Sequence, residues 1–175
     1  KCPYIKLIHF NVNQGKGAAL KVGIQRAKHE AIVIFDGDLE LDPLEIQKLM
    51  ILDENQNINC VFGTRFKKNK TYLSIWDIGN FLITKVFNTV YNSKIQDALC
   101  CAKSFYLKNL KVEKLVSTKF DIDVEIAIQL ILNNKKINEV HLSYFRRNSF
   151  NGKKLRLKDS YYILKRILKK YSLNP

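Results

Sequence analysis

The sequence predicts an α/β fold in which a mainly parallel sheet is flanked by helices. Ala31 to Phe35 is a short apolar run rich in β-branched residues, a pattern typical of a strand buried on both faces. Asn59 to Arg65 predicts a second strand, and Pro43 to about Leu52 predicts a helix between the two. Strands separated by one helix are typical of βαβ units, which build parallel sheets.

The length and composition indicate a single domain with one ordinary core. The chain has 175 residues, and 46% of them are hydrophobic. No apolar run approaches the length of a membrane span, and the N-terminal residues lack the pattern of a secretory signal. We therefore expect a cytoplasmic protein, either soluble or bound to a membrane surface. Four cysteines, none in a CxxC pair, are predicted to be reduced residues of the core: Cys2, Cys60, Cys100 and Cys101.

The net charge indicates partners that carry phosphate. The formal value is +14 at pH 7, and nucleic acid, a nucleotide or an anionic membrane would each complement it. No zinc-finger spacing and no aromatic stretch of the RNA-binding type accompanies the basic residues. We therefore expect no nucleic acid partner.

A glycine-rich turn precedes the first predicted helix. Tyr4 to Phe10 predicts a strand, and Asn11 to Gly17 predicts a turn that opens a helix with a small-residue face. Such a turn leaves backbone N–H groups that can meet an anion, and Lys16 beside them is a candidate substrate-binding residue. The spacing is not that of a Walker loop, and a plain tight connection between strand and helix is at least as well supported.

Acidic residues follow the first buried strand at every second position, at Asp36, Asp38, Glu40 and Asp42. In an extended chain, the first three carboxylates would point the same way and converge just past the carboxyl end of the strand. Ligands that are all oxygen atoms favour a hard divalent cation, which predicts an Mg²⁺ or Mn²⁺ site there. Asp42 with Pro43 fits a helix cap instead.

Arg65 is expected on the same rim of the sheet as Asp36, at the carboxyl end of its own strand. The following Lys67, Lys68 and Lys70 fit a loop that collects phosphate, or simply a solvated connection. Later predicted elements are a densely apolar segment over Tyr72 to Tyr91, an apolar helix over Phe120 to Asn133 and a late strand over Lys136 to Tyr144. Asp121 and Asp123 begin the apolar helix, and a capping role is preferred for Asp121.

The C-terminal part, residues 158–175, predicts a basic amphipathic helix that follows a main domain over residues 1–157. Its apolar stripe comprises Ile163, Leu164, Ile167, Leu168 and Tyr171, and its basic side comprises Lys165, Arg166, Lys169 and Lys170. The pattern fits a helix at an anionic membrane surface or a helix docked on the domain. The helix lies at the end of the chain and has Tyr161 and Tyr162 near its start, and both features favour the membrane interpretation.

Several motifs together resemble the family 2 glycosyltransferases of GT-A fold. They are NQGKGAAL from Asn13 to Leu20, DGDLELDP from Asp36 to Pro43 and FGTR from Phe62 to Arg65, followed in order by Asp97 to Lys103, Phe120 to Glu125, Tyr144 to Arg147 and Gly152 to Lys154. The resemblance is strongest to the branch that includes dolichyl-phosphate mannose synthase and bacterial polyprenyl-phosphate glycosyltransferases. It implies a Rossmann-like sheet and transfer of a sugar from a nucleotide-sugar donor to a polyprenyl phosphate at the cytoplasmic membrane face.

The resemblance also implies roles for individual residues. Asp36 and Asp38 would hold the divalent ion on the donor diphosphate, with help from Glu40. Four basic residues would lie near donor or acceptor phosphates: Arg65, Arg147, Lys153 and Lys154. A lipid phosphate acceptor is already anionic and needs no strong base, whereas a sugar hydroxyl would need one, for which Asp97 and Asp123 are the candidates.

Two departures from the family pattern stand out. Cys101 occupies a position where the family usually has glycine. The family's first strands, which bind the nucleotide base, have no counterpart after Lys1, so we expect about the first third of the catalytic domain to be absent. A non-catalytic membrane-surface or interaction module derived from such an enzyme is the alternative, and a homo-oligomer is left open.

Overall fold

The structure is a computed structural model that describes residues 4–66, 75–133, 136–146 and 157–169. The helices are α1 (Lys16–Gln25), α2 (Ile46–Leu49), α3 (Ile75–Tyr91), α4 (Ile122–Asn133) and α5 (Leu157–Leu168). The strands are β1 (Ala31–Ile34), β2 (Cys60–Thr64), β3 (Lys103–Tyr106) and β4 (Asn138–His141). Short 3-10 turns occupy Pro43–Glu45, Leu107–Asn109 and Val112–Lys114.

The four strands form one mixed sheet in the order β1-β3-β2-β4. β2 and β4 pair in parallel, while β3 lies antiparallel between β1 and β2. β1, β2 and β4 consequently point the same way, and β3 alone runs against them. The predicted α/β fold is confirmed, with one reversed strand that the sequence did not predict.

The reversed strand decides where the site can form. Lys103, the first residue of β3, pairs with Ile34 near the end of β1 and with Phe62 near the end of β2. The segment that leads into β3 therefore arrives at the edge where β1 and β2 finish. This brings Asp97 and Cys101 to the rim that already carries Asp36 and Arg65.

The core lies on both faces of the sheet. Alternate residues of β2 face opposite sides, as expected for a strand: Cys60 and Phe62 join the larger cluster with residues of α3, α4 and α5, whereas Val61 joins a smaller cluster with Leu41, Leu49 and Leu142. Both sides of this strand are buried, and the strand predicted over Asn59 to Arg65 is confirmed. The prediction that the Ala31 to Phe35 strand is buried on both faces is wrong, because β1 pairs only with β3 among the described strands and Val33 is 37% exposed.

Two glycines at the start of α1, one at its N-cap and one in its first turn, are required by close packing. Gly15 has a φ of 88°, and a Cβ on Gly17 would lie 2.5 Å from the carbonyl oxygen of Ser117. The Gly15 N–H is already bonded to Asn13 Oδ1, and the Gly17 N–H donates to the Thr118 carbonyl at 2.8 Å. Since these two N–H groups are occupied, the structure favours the tight-connection interpretation of the turn.

Two predicted elements differ from the structure. The strand prediction for Tyr4 to Phe10 is wrong: this segment has no strand structure, and Tyr4, Ile5 and Leu7 are 93%, 73% and 89% exposed. Alternating side chains give a segment the capacity to form a strand, but hydrogen-bonding to a neighbouring strand makes it one. The helix predicted from Pro43 to Leu52 is shorter, because it consists of one 3-10 turn and the single turn of α2.

Helix α5 packs on the body of the domain. Ile163 and Ile167 are buried in the larger core cluster, and the Tyr91 hydroxyl donates to the Ile167 carbonyl at 3.0 Å. Arg166 turns inward and pairs with Asp121 at 3.2 Å and with the buried Glu125 at 3.5 Å. Two residues of the apolar stripe predicted to contact a membrane, Ile163 and Ile167, are therefore buried in the protein core. None of the helices formed by the described residues is long and apolar enough to cross a bilayer.

Candidate functional site

A cavity of about 1020 Å³ lies beyond the carboxyl ends of β1, β2 and β4. Its walls include the acidic residues Asp36, Asp38, Glu40, Asp123 and Asp159, the basic residues Lys16, Arg65, Lys119 and Arg146, and the aromatic residues Phe10, Trp76, Phe120 and Tyr144. Open α/β sheets bind their ligands at this edge. The cavity is therefore the candidate site.

Lys16 joins two acidic residues from distant parts of the chain. Its Nζ lies 2.8 Å from Asp36 Oδ2 and 2.7 Å from Asp123 Oδ2. Burial by itself lowers the pKa of Lys16, but the negative charge around it, with Asp123 contributing most, outweighs burial and raises the pKa above its ordinary value. The ammonium is therefore a fixed positive charge inside the acidic part of the cavity. Lys16 is the first residue of α1, and the close packing of Gly15 and Gly17 against the backbone of residues 117–118 fixes its position.

The acidic motif does not have the extended geometry expected from its sequence. β1 ends at Ile34, and the chain then bends, with Leu39 at a φ of 62°. Asp38 Oδ1 accepts the Glu40 N–H at 3.1 Å, while the Glu40 carboxylate accepts the Tyr144 hydroxyl at 3.2 Å. The expectation that Asp36, Asp38 and Glu40 project in register from one strand is wrong, because the bend turns them toward different partners.

The residues present fit a divalent ion that is completed by its substrate. In the described part of the chain, no three His, Cys, Asp or Glu side chains come together as a metal-binding group. Mg²⁺ commonly takes only one or two carboxylates from the protein and its remaining ligands from water and phosphate. Asp36 and Asp38 both line the cavity and supply that kind of donor set. The metal assignment to Asp36, Asp38 and Glu40 stays a prediction.

Arg65 is held in place by Asp97. Its Nε and Nη2 lie 2.7 and 2.8 Å from the two carboxylate oxygens, and its backbone N–H donates to the same group at 3.2 Å. Asp97 is fully buried and Arg65 lines the cavity, so the carboxylate fixes the guanidinium from behind. Burial lowers the pKa of Arg65, but Asp97 outweighs it and raises that pKa, which keeps the charge in place.

This pair changes the interpretation of Asp97. A general base must come within hydrogen-bonding distance of the proton that it removes. Asp97 is buried and occupied by Arg65, so its geometry fits a positioning residue better than a base. Asp123 does line the cavity, although its Oδ2 already accepts from Lys16. The base role remains a prediction for Asp123.

Tyr144 and Arg146 complete one wall of the cavity. The Arg65 and Arg146 guanidinium carbons lie 5.4 and 5.8 Å from the centre of the Tyr144 ring, on which both can stack. Burial raises the pKa of Tyr144, so its hydroxyl stays protonated and donates to Glu40. Arg146 also pairs with Asp77 of α3. No sequence motif predicted a site role for Tyr144, Arg146 or Asp77 individually, although the first two lie in a segment that carried the family resemblance.

Cys100 and Cys101 lie side by side at the floor of the cavity. Cys100 is buried and Cys101 is partly exposed. A hydrogen bond between the two thiols, together with burial, raises the pKa of Cys101 well above its usual value. The prediction of reduced cysteines agrees with the free thiols at Cys60, Cys100 and Cys101, but Cys101 belongs to the site rather than to the core.

The other predicted phosphate ligands, Arg147, Lys153 and Lys154, lie outside the described residues, as do Lys67, Lys68 and Lys70. The structure therefore brings together Lys16, Arg65, Asp36, Asp38, Glu40 and Asp123 around one cavity, with Asp97 directly behind Arg65.

Comparison with known proteins decides the family. The model of the family described as "Glycosyl transferase family 2" matches residues 1–114, which is more than half of the chain. The chain belongs to glycosyl transferase family 2. This confirms the resemblance found in the sequence motifs.

Curated relatives of this family 2 chain are distant. An uncharacterized protein of Methanocaldococcus jannaschii is 27% identical over 150 residues, covering 79% of this chain and 64% of the relative. Dodecaprenyl-phosphate galacturonate synthase of Rhizobium johnstonii is 26% identical over 112 residues, covering 64% of this chain and 33% of that enzyme. The chain thus spans between one third and just under two thirds of the length of these relatives.

Solved structures share the fold of this family 2 chain. Glucosyl-3-phosphoglycerate synthase from Mycobacterium tuberculosis in complex with uridine diphosphate superposes with a TM-score of 0.63 at 13% identity, covering 95% of this chain and 57% of that one. The same enzyme with Mn²⁺, UDP-glucose and phosphoglyceric acid gives a TM-score of 0.61 at 13% identity, covering 95% and 56%. These likenesses confirm a GT-A type of α/β fold.

Proposed function

We propose that this chain carries the metal- and phosphate-binding part of a glycosyltransferase that moves a sugar from a nucleotide-sugar donor to a polyprenyl phosphate. The observation that carries the proposal is the cavity in which Asp36 and Asp38 lie beside the cations of Lys16 and Arg65. Carboxylates that hold a divalent ion and cations that face a diphosphate are both needed by an enzyme whose leaving group is a nucleoside diphosphate. Family membership supports the same reaction class.

A divalent ion held by Asp36 and Asp38, with Glu40 close by in sequence, would neutralise negative charge on the departing diphosphate. Arg65 supports the donor phosphates directly, because its planar guanidinium suits phosphate oxygens and Asp97 fixes its direction. Lys16 adds a second positive charge at the first turn of α1. The predicted roles of Arg147, Lys153 and Lys154 as phosphate ligands remain part of the proposal.

A polyprenyl phosphate is the proposed acceptor. Its phosphate oxygen attacks the anomeric carbon of the sugar, a new carbon–oxygen bond forms, and the bond to the nucleoside diphosphate breaks with its electron pair. The attacking oxygen is anionic at neutral pH, so the reaction does not depend on a base. The Rhizobium relative supports this acceptor class by its name. An acceptor of this kind stays in the bilayer, which places the protein at the cytoplasmic membrane face.

Calorimetry with Mn²⁺ and uridine diphosphate tests the proposal. Uridine diphosphate is the probe because it occupies a solved structure of the same fold. We expect Asp36→Asn and Asp38→Asn to lose Mn²⁺-dependent nucleotide binding. The matched control is Asp42→Asn, since Asp42 accepts the Leu44 N–H in a cap that asparagine preserves. Equal binding by all three variants would remove the metal assignment.

A non-catalytic module derived from such an enzyme is the second candidate. It is favoured by the Lys16 ammonium, which already pairs with Asp36 and Asp123 and so neutralises acidic residues without a metal ion. Incubation with a nucleotide sugar and polyprenyl phosphate separates the two. Sugar transfer that depends on Mn²⁺ and on Asp36 supports the enzyme, while Mn²⁺-dependent nucleotide binding without transfer supports the module.

A further inference from the structure

We propose that the outer face of helix α3 is the surface through which this protein binds an anionic lipid bilayer. This surface, called the α3 outer face, consists of Ile75, Ile78, Phe81, Leu82 and Lys85. The inference rests on the proposed function, because a lipid acceptor requires a defined contact with the membrane. It names which part of the fold makes that contact.

The α3 outer face is apolar and open to solvent. Ile75, Ile78, Phe81 and Leu82 are 79%, 47%, 40% and 55% exposed, and Lys85 is exposed as well. Spacings of three, four and seven residues place Ile75, Ile78 and Leu82 on one side of the helix. The opposite side contributes Ile83 and Phe87 to the core.

A helix that is apolar on both sides is unusual at a water-exposed surface. A surface helix normally carries polar residues away from the core, and one that is hydrophobic all round is usually buried or in contact with lipid. The inner side of α3 is already covered by the fold. On the outer side the large side chains of Ile75, Ile78 and Leu82 are instead exposed to solvent.

The charge on this face favours lipid as that environment. The seventeen residues of α3 contain one acid, Asp77, which is buried and paired with Arg146. The outer face consequently combines large apolar side chains with a lysine and no acid, so no charge on it is repelled by an anionic membrane surface. Lys85 has a stem long enough to reach the headgroups while its neighbours contact acyl chains. The net charge of +14 adds a long-range attraction to such a surface.

The α3 outer face is also next to the cavity. Trp76 and Asn80 line the cavity and alternate in sequence with Ile75 and Ile78 along the first turns of α3. At about 100° per residue, Trp76 and Asn80 lie on the other side of the helix from Ile78, and a helix with its side chains is about 10–12 Å across. A bilayer that touches Ile75 and Ile78 is therefore separated from the cavity by the width of one helix.

Helix α5, the membrane element that the sequence suggested, is less suited to this contact. Ile163 and Ile167 are buried in the core, and Arg166 is paired with Asp121 and Glu125. Three of the positions assigned to its apolar stripe and basic side therefore point into the protein. The structure assigns α5 to packing and α3 to the membrane.

Sedimentation with vesicles tests the assignment on the whole chain. The vesicles contain phosphatidylglycerol with phosphatidylcholine, or phosphatidylcholine alone. We expect the parent protein to bind the anionic vesicles and to be released as salt rises. A double variant, Ile78→Glu with Leu82→Glu, should bind at least about tenfold more weakly, because it loses apolar contact and adds two repelled charges.

The matched control is Met50→Glu with Ile51→Glu. These residues are 68% and 43% exposed and lie outside α3, and the change in net charge is the same. Retention of vesicle binding by the control supports the α3 outer face. Equal loss in both double variants would mean that net charge alone governs binding, and it would overturn the proposal. Circular dichroism checks folding, and Ile75→Glu replaces the double variant if the latter is unfolded.

Two further outcomes separate this inference from the proposed function. If the parent binds Mn²⁺ and uridine diphosphate but no vesicles at low salt, the α3 assignment is overturned and the proposed function stands. If it binds vesicles through α3 but binds no nucleotide, the membrane surface stands and the proposed function falls. Self-association that disappears in the α3 double variant, without vesicle binding, would assign the face to a second copy of the chain and overturn the proposal.

Discussion

The Lys16 ammonium lies 2.8 Å from the Asp36 carboxylate, the group expected to hold a divalent cation. The same ammonium lies 2.7 Å from Asp123. Part of the negative charge of the acidic site is therefore already balanced by a positive charge that belongs to the protein. A metal ion that takes Asp36 as a ligand must compete with Lys16 for the same oxygen atom.

Replacing Lys16 by methionine should lower the stability of the protein in the absence of metal. It should also increase the stabilisation that a bound metal ion provides. Because Lys16 and its partners Asp36 and Asp123 are partly exposed, we expect a loss of about 1–3 kcal/mol in the free energy of unfolding measured with chelator present. Added Mn²⁺ should raise the melting temperature of Lys16→Met more than that of the parent, since the acids then lack a competing cation. Lys48→Met is the control, because Lys48 pairs with Glu45 at the surface and should cost less than about 1 kcal/mol. Equal metal-induced shifts in parent and variant would contradict the competition.

Asp97→Asn should destabilise the protein strongly. It removes the only carboxylate paired with Arg65 among the described residues and leaves a guanidinium in a poorly hydrated position, at a cost of about 3–5 kcal/mol. Urea denaturation measures the change. The exposed pair between Lys108 and Glu54 provides the comparison, since water already solvates both groups and Glu54→Gln should change stability little. A similar small effect at Asp97 would show that Arg65 does not depend on it.

Two glycines of α1 should respond to alanine in opposite ways. A Cβ on Gly17 would meet the Ser117 and Thr118 backbone, which cannot move aside easily, so Gly17→Ala should cost about 2–4 kcal/mol. Nothing lies within 4 Å of a Cβ on Gly23, and Gly23→Ala should stabilise the helix by about 0.5–1 kcal/mol. Thermal melts of both variants check the pair. Destabilisation by Gly23→Ala would contradict the open space seen at that residue.

Alkylation of Cys101 should be slow at neutral pH and speed up in alkaline solution. Its raised pKa keeps the reactive thiolate scarce, and the thiolate fraction falls about tenfold for each pH unit below the pKa. Iodoacetamide labelling followed by mass spectrometry, in a Cys2→Ser background, gives the rate at Cys101 across pH. We expect that rate to keep rising beyond the pH at which an ordinary cysteine levels off. A plateau at the ordinary position would mean that the bond to Cys100 has no effect on reactivity.

The sequence correctly predicted elements whose structure is encoded by neighbouring residues. The apolar run before Asp36 became β1, and the dense apolar segment before Tyr91 became α3. β3 was missed because four residues beginning with a lysine do not look like a buried strand, yet Lys103 is fully buried, with its ammonium on the Cys100 carbonyl and 5.1 Å from the centre of the Phe62 ring. Only the tertiary structure supplies those partners.

The sequence predicted several residues of the candidate site but not the contacts between them. Asp36, Arg65 and Asp123 were identified from motif positions, and all three line the cavity. The pairing of Lys16 with Asp123 joins positions 107 residues apart and leaves no local trace. The bend at Leu39 depends on a positive φ, which is uncommon for leucine and is not indicated by the alternating acids around it.

The placement of β3 between β1 and β2 has a consequence for how the chain is made. Among the described strands β1 pairs only with β3, and the partner of Ala31 is Tyr106. During synthesis β1 therefore cannot pair with β3 until a much later stretch has left the ribosome. Sequence-distant pairing of this kind slows folding and leaves strand edges available for contacts with other nascent chains. The strand order that builds the site thus also sets how late in synthesis the sheet can close.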